Sequence, residues 1–210
     1  MTIDCIMTPL LPILYFAPIE YYSIIAKRSI IEIDKHENFQ KQTYRNRCSI
    51  YGANGLLNLI VPIQHKSEKK QIKDIEISYS ENWQQLHWRS IKNVYQSSPY
   101  FEYYEDNIAQ LYFKQNKYLI DLNVNIQSVV IDLLKISPVI TFSESYVKED
   151  INKIDYRNHF NNKTKKTEHL NTPRYIQVFE EKHGFLANLS IIDLLFNLGP
   201  SAKDYLLDQS

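Results

Sequence analysis

The stretch Pro12–Asp34, PILYFAPIEYYSIIAKRSIIEID, decides the fold class. Its first five residues, Pro12 to Phe16, are a short apolar run closed by Ala17-Pro18, and they predict a buried strand. Ile19 to Arg28 carries its apolar residues at helical spacing, and Ser29 to Asp34 predicts a second strand. Strand, helix and strand joined by short links predict a parallel βαβ unit, although so short a crossover also fits a mixed sheet. The expected class is α/β: a single domain over residues 1–210, with a mostly N-terminal parallel or mixed sheet and a helical C-terminal half.

Further along the chain, His36 to Arg47 is polar and is expected to begin as a helix. Cys48 to Tyr51 and Leu56 to Gln64 flank the turn signal Ala53-Asn54-Gly55 and predict a hairpin. The run LLNLIVPI in its second arm is apolar enough to predict a central strand. Ile72, Ile75 and Ile77 predict another strand. Three helices follow. The first is capped at Ser80 or Asn82 and carries Trp83, His87, Ile91 and Tyr95 at successive i+4 positions. The second begins at Ser98-Pro99, and the third spans Leu119 to Lys135. Val139 to Phe142 reads as a short strand. Lys148 to Arg174 is dense in Lys, Asn, Asp and Glu and reads as a mobile polar loop within the domain, before apolar helices close the chain.

Composition excludes several function classes. Lys+Arg and Asp+Glu both number 24, so no global field draws nucleic acid or anionic lipid, and no nucleic-acid partner is expected. The four glycines, Gly52, Gly55, Gly184 and Gly199, fit neither a dinucleotide fingerprint nor a P-loop. No cofactor is expected. Cys5 and Cys48 are too few for a disulfide framework and read as free thiols. No apolar run is long enough to span a membrane, and the N-terminus lacks the basic segment of a signal peptide, so a cytoplasmic location is expected.

Three polar clusters interrupt the core pattern. Lys41, Tyr44, Arg45, Asn46 and Arg47 form either a solvated segment or a grip on phosphate or carboxylate, for which arginine offers a planar fork. Trp83, His87 and Trp88 make His87 either a satisfied core histidine or, if it faces a pocket, a general acid or base. No zinc site is predicted there, because no second ligand stands at the required spacing. Tyr95, Tyr100, Tyr103 and Tyr104 gather phenol groups that suit either a core or a polar, stackable ligand such as a sugar. Asp121 and Asn123 break an otherwise apolar helix. Asp34 closes the second predicted strand, where open α/β sheets place ligands.

The ordered series YFAPIEYY (15–22), KQTYRNRCSI (41–50), LIVPI (59–63), WQQLHWRSIKNVYQSSPYFEYYED (83–106), YIQVF (175–179) and GFLANLSIIDLLFNLGP (184–200) resembles the WbqC-like family. Asn46-Arg47, Tyr95, Pro99 and Phe101 stand where the family pattern has them. The family's His-Gln-Pro-x-Tyr-x-Pro stretch falls on Tyr15–Tyr22, and its His-Gln pair is absent. The resemblance implies an α/β domain and a setting in surface polysaccharide synthesis, with some members taken as transferases of glycine or similar groups to sugars.

The expected function is therefore acyl or aminoacyl transfer to a nucleotide- or lipid-linked sugar. In that reading His87 is the base, while Lys41, Arg45, Asn46, Arg47, Tyr95, Tyr100, Tyr104, Asp121 and Asn123 contact a small-molecule substrate, a nucleotide-sugar among the candidates. The alternative is a non-catalytic binding or scaffold subunit of an envelope assembly. A nucleotidyltransferase-like reading lacks the usual glycine and histidine signals.

Overall fold

A computed structural model describes residues 7–64, 70–148, 150–160 and 173–209. Four short strands form one parallel sheet: β1 (Thr8–Leu11), β2 (Ile30–Ile33), β5 (Val139–Phe142) and β6 (Lys153–Asp155), in the order β5-β2-β1-β6. Helix α1 (Ile19–Ala26) joins β1 to β2, so a parallel βαβ unit forms as expected, but its first strand precedes Pro12. The class is α/β, but only two of the four strands come from the N-terminal half.

The first strand lies four residues earlier than the apolar run suggests. Pro12–Phe16 is buried but not in the sheet: the Tyr15 amide donates to the Tyr44 carbonyl, and Phe16 turns at φ 39°. A buried apolar run has no periodicity to separate strand from packed loop.

The hairpin forms as β3 (Arg47–Gly52) and β4 (Gly55–Ile60), turning at Ala53-Asn54 with Gly55 at φ 98°. Its second arm is not central. Among the described residues β4 pairs with β3 alone, leaving Leu56 58%, Leu57 37% and Ile60 44% exposed. β3 is instead flanked by Ser190, whose amide donates to the Ser49 carbonyl. Ile72–Asp74 is a single 3₁₀ turn rather than a strand, and the stretch from His36 is irregular rather than helical until Arg47 opens β3.

The helices follow their periodicity closely. They are α2 (Trp83–Tyr95), α3 (Phe101–Phe113) and α4 (Leu119–Leu133), with Leu122, Ile126 and Val130 of α4 in the core. Each buried aliphatic side chain contributes about 1.5–3 kcal/mol. A short α5 (Glu180–His183) precedes α6 (Ile191–Leu198) and α7 (Ala202–Asp208). Gly199 ends α6 at φ 53°, and a Cβ there would lie 2.3 Å from the Tyr100 ring.

The polar stretch after Lys148 is not wholly a loop. Residues 153–155 form β6 beside β1, and Phe160 is buried. Residues 149 and 161–172 of that stretch lie outside the described residues.

Candidate functional site

All four sheet strands point their carboxyl ends the same way, and α/β proteins place ligands along that edge, at the point where strand order reverses. Here the reversal falls between β1 and β6. It is filled by the protein itself. Arg157, just after β6, reaches across the end of β1 and donates to Asp34, just after β2, at 2.6 Å. The same guanidinium donates to Asp155 at 2.6 Å, and Asp34 also accepts from the Ser143 hydroxyl at 2.9 Å and the His36 amide at 2.9 Å. Asp34 is fully buried, so its position at a ligand edge serves an internal ion pair.

A second buried pair continues this network. Arg45 is fully buried and grips Glu37 with both arms of its fork, at 2.8 and 2.5 Å. It also donates to the Arg157 carbonyl at 3.0 Å, while Asn123 donates to the Arg45 carbonyl at 2.8 Å. Burial pushes the Glu37 carboxyl up, and the hydrogen bonds from Arg45 oppose it. Two of the expected substrate contacts, Arg45 and Asn123, are thus committed to the protein's own polar core.

The open part of the edge lies at the other end, beyond β2 and β5. A groove of about 780 Å³ runs there between Lys35, which follows β2, and Phe142, which ends β5. Lys73 from the 3₁₀ turn and Lys114 and Lys117 from the α3–α4 loop complete four cations around it. The first two turns of α4 form a wall, with apolar Ile120 and Val124 beside Asp121 and Asn125. No described carboxylate lies within ion-pair distance of the four lysines, and Asp121 is the one acid of the lining, although Tyr118 and then Glu76 hold the Lys117 ammonium in its charged form. Lys73 lies 3.2 Å from Nδ1 of His36, whose Nε2 is buried without a partner among the described residues. A groove of this size and charge suits a small anionic ligand.

The remaining predicted residues are dispersed. Lys41 is exposed, and Asn46 donates to the Val61 carbonyl at 2.9 Å. Arg47 begins β3 with its Nε buried and without a partner among the described residues. Tyr100 packs on Gly199, and Tyr104 is half-buried on α3. Only Asp121 of the predicted set reaches the groove.

His87 is buried on the inner face of α2. Its Nδ1 is 2.9 Å from the Tyr15 hydroxyl, which lies 2.8 Å from that of Tyr112, and the Trp83 ring packs edge-on against it. Burial pushes its pKa down to about 4, against a hydrogen bond to the Ile60 backbone. At neutral pH this imidazole is uncharged, and it does not line the groove. Cys48, also fully buried, has its thiol pushed far up by burial and is inert at neutral pH.

One buried polar group carried no signal in the sequence. Asp193 sits in apolar α6, fully buried, and accepts from Tyr95 at 2.7 Å, Tyr175 at 2.5 Å and Gln177 at 3.2 Å. Burial raises its pKa, and those three donors hold it back. Tyr95 therefore satisfies a buried acid rather than a sugar. A lone Asp in an apolar octapeptide has a partner only in three dimensions.

Comparison with known proteins adds a lineage. The WbqC-like protein family model matches residues 14–182. The uncharacterised protein Rv1507c of Mycobacterium tuberculosis is 27% identical over 211 residues, an alignment covering 89% of this chain and 91% of that protein. No solved structure matches. With the family model covering most of its length, the chain belongs to the WbqC-like protein family.

Proposed function

We propose that the chain is a transferase that holds a phosphate-linked sugar in the groove at the β2/β5 end of the sheet and carries an acyl or aminoacyl group to it. The observation that supports this is the groove itself: four lysines line it against one lining carboxylate, Asp121, at the carboxyl edge of the sheet though two strands from its switch point. Nucleotide- and lipid-linked sugars both present phosphate, the anion that such a cradle favours. The setting in surface polysaccharide synthesis comes from the family resemblance. Because His87 is buried and uncharged away from the groove, this reading takes substrate binding from the lysines and gives His87 a structural role.

Calorimetric titration tests it, using nucleotide-sugars, a lipid-linked sugar and inorganic pyrophosphate against the wild type and a Lys35→Ala/Lys73→Ala double variant. Binding that weakens about tenfold or more in the variant supports the reading, since each charge-assisted contact contributes about 1.5–3 kcal/mol. Absence of binding across the panel, with both proteins folded, sinks it.

One observation favours the alternative of a scaffold subunit. The outer arm of the hairpin exposes Leu56, Leu57 and Ile60, and Leu86 on α2 is 57% exposed. A Leu56→Lys/Ile60→Lys variant that loses a protein partner but keeps groove binding would assign that role to the hairpin.

A further inference from the structure

We infer that the groove is built for a nucleoside diphosphate, with the base on Phe142, the ribose at Asp121 and the diphosphate among the lysines. The inference rests on reading the groove as the substrate site, and it chooses between the two carriers that reading admits.

The argument starts from register. Phe142 is the partner of Ile33 at the ends of β5 and β2, and Lys35 follows two residues after Ile33. Neighbouring strands lie about 4.8 Å apart. An aromatic ring that is 40% exposed therefore stands at the groove wall close to the cation Lys35. A planar ring stacked on Phe142 would carry its phosphates toward Lys35 and Lys73. Ile120 and Val124, one helical turn apart on α4, add aliphatic groups to the same lining. Phe142, Ile120 and Val124, with the Tyr118 ring that Lys117 covers, can cover one ring system. They are too few to shelter a polyprenyl chain, which gains about 0.8 kcal/mol for each methylene that it buries.

Asp121 is the second clue. Its place in the first turn of α4 is favourable for the helix dipole. Yet an acid in a groove meant only for phosphate would weaken binding by repulsion. A ligand that offers hydroxyls at that point turns the acid into an acceptor, and ribose presents a vicinal diol, as in α/β nucleotide sites. Asn125 lies one turn further along the same face. An isoprenoid diphosphate offers no hydroxyl there.

The test titrates ADP, UDP, inorganic pyrophosphate and farnesyl diphosphate into the wild type, Phe142→Ala and Asp121→Asn, with circular dichroism as the fold control. Both residues are exposed. The expected result is that a nucleoside diphosphate binds about tenfold or more tightly than pyrophosphate. Phe142→Ala should cost it about five- to 150-fold, the range for loss of one stacking contact. Asp121→Asn should weaken the nucleoside diphosphate while strengthening pyrophosphate, an opposition that a purely structural role for Asp121 would not produce. Equal affinity for ADP, UDP and pyrophosphate overturns the inference and leaves the groove an anion site. Tightest binding of farnesyl diphosphate overturns it in favour of the lipid carrier. No binding of any diphosphate overturns the proposed function as well.

Discussion

The carboxyl edge of the sheet treats its cations in two ways. At the β1/β6 end, Arg157 and Arg45 are buried and held by Asp34, Asp155 and Glu37. At the β2/β5 end, Lys35, Lys73, Lys114 and Lys117 line open space with no described carboxylate within ion-pair distance, Glu76 acting on Lys117 only from further off. The residue types match the tasks. A guanidinium fork satisfies two carboxylate oxygens at once and tolerates burial, whereas an ammonium is a strongly hydrated point charge. The contrast teaches that the usual ligand crevice of an α/β sheet has here become structure, and that the open charge has moved two strands along.

The sharpest way to break the comparison is Arg45→Met. It leaves Glu37 buried without its partner, which costs about 3–5 kcal/mol. Urea denaturation should show that loss as a lower midpoint at unchanged slope. Adding Glu37→Gln should recover part of it, because the penalty lies in the orphaned charge rather than in a missing attraction. If Arg45→Met is nearly neutral, the buried end is not a structural clamp.

His87 shows a third way to place a basic group, namely to keep it uncharged. Its folded pKa of about 4 lies below the unfolded value near 6.5. The stability this contributes is present above about pH 6.5 and is lost as pH falls through about 4. A shift of that size corresponds to about 3 kcal/mol. Urea midpoints measured from pH 7.5 down to pH 4 should therefore decline, and His87→Gln should flatten the decline. An unchanged slope in the variant would assign the acid sensitivity to other groups.

These regions also show what the sequence could convey. The helix carrying Trp83, His87, Ile91 and Tyr95 was legible because a 3.6-residue period is local, and all four residues are buried where the spacing puts them. The same logic makes the plainer alternative for His87, a satisfied core histidine, the one that matches its surroundings. Strand β6 was illegible: three residues, Lys-Ile-Asp, are strand only because β1 lies beside them. The groove was illegible for a related reason. Its lysines come from the end of β2, the 3₁₀ turn and the α3–α4 loop, segments far apart in sequence that only the tertiary fold brings together. Asp121 could be singled out because it interrupts an apolar helix. Arg45 and Asn123 stood out on the same grounds, yet a buried ion pair and a ligand contact look alike in one dimension.

A smaller effect tests how rigidly α6 is tied to the helical layer. Gly199→Ala places a Cβ against the Tyr100 ring at a left-handed φ of 53°. Strain at such a position costs about 1–3 kcal/mol. Combining it with Tyr100→Ala should relieve the contact but not the backbone strain, so the pair should recover only part of the loss. Full recovery would mean that backbone conformation there is unimportant.

The smallest expected effect on stability is the most informative about the groove. Lys35 is half-buried and joins no ion pair among the described residues, so Lys35→Ala should change the unfolding free energy by only about 0.5 kcal/mol. Its sign should be stabilising at low salt, because removing one of four neighbouring ammonium groups relieves repulsion. Screening shortens the reach of such charges to about 10 Å at 0.1 M salt. Added sodium chloride should therefore raise the melting temperature of the wild type more than that of the variant. A cation kept where it repels its neighbours and holds no internal partner is consistent with a task outside the fold. If Lys35→Ala instead costs as much as Arg45→Met, Lys35 is tied into the protein as the arginines are, and the two ends of the edge do the same work.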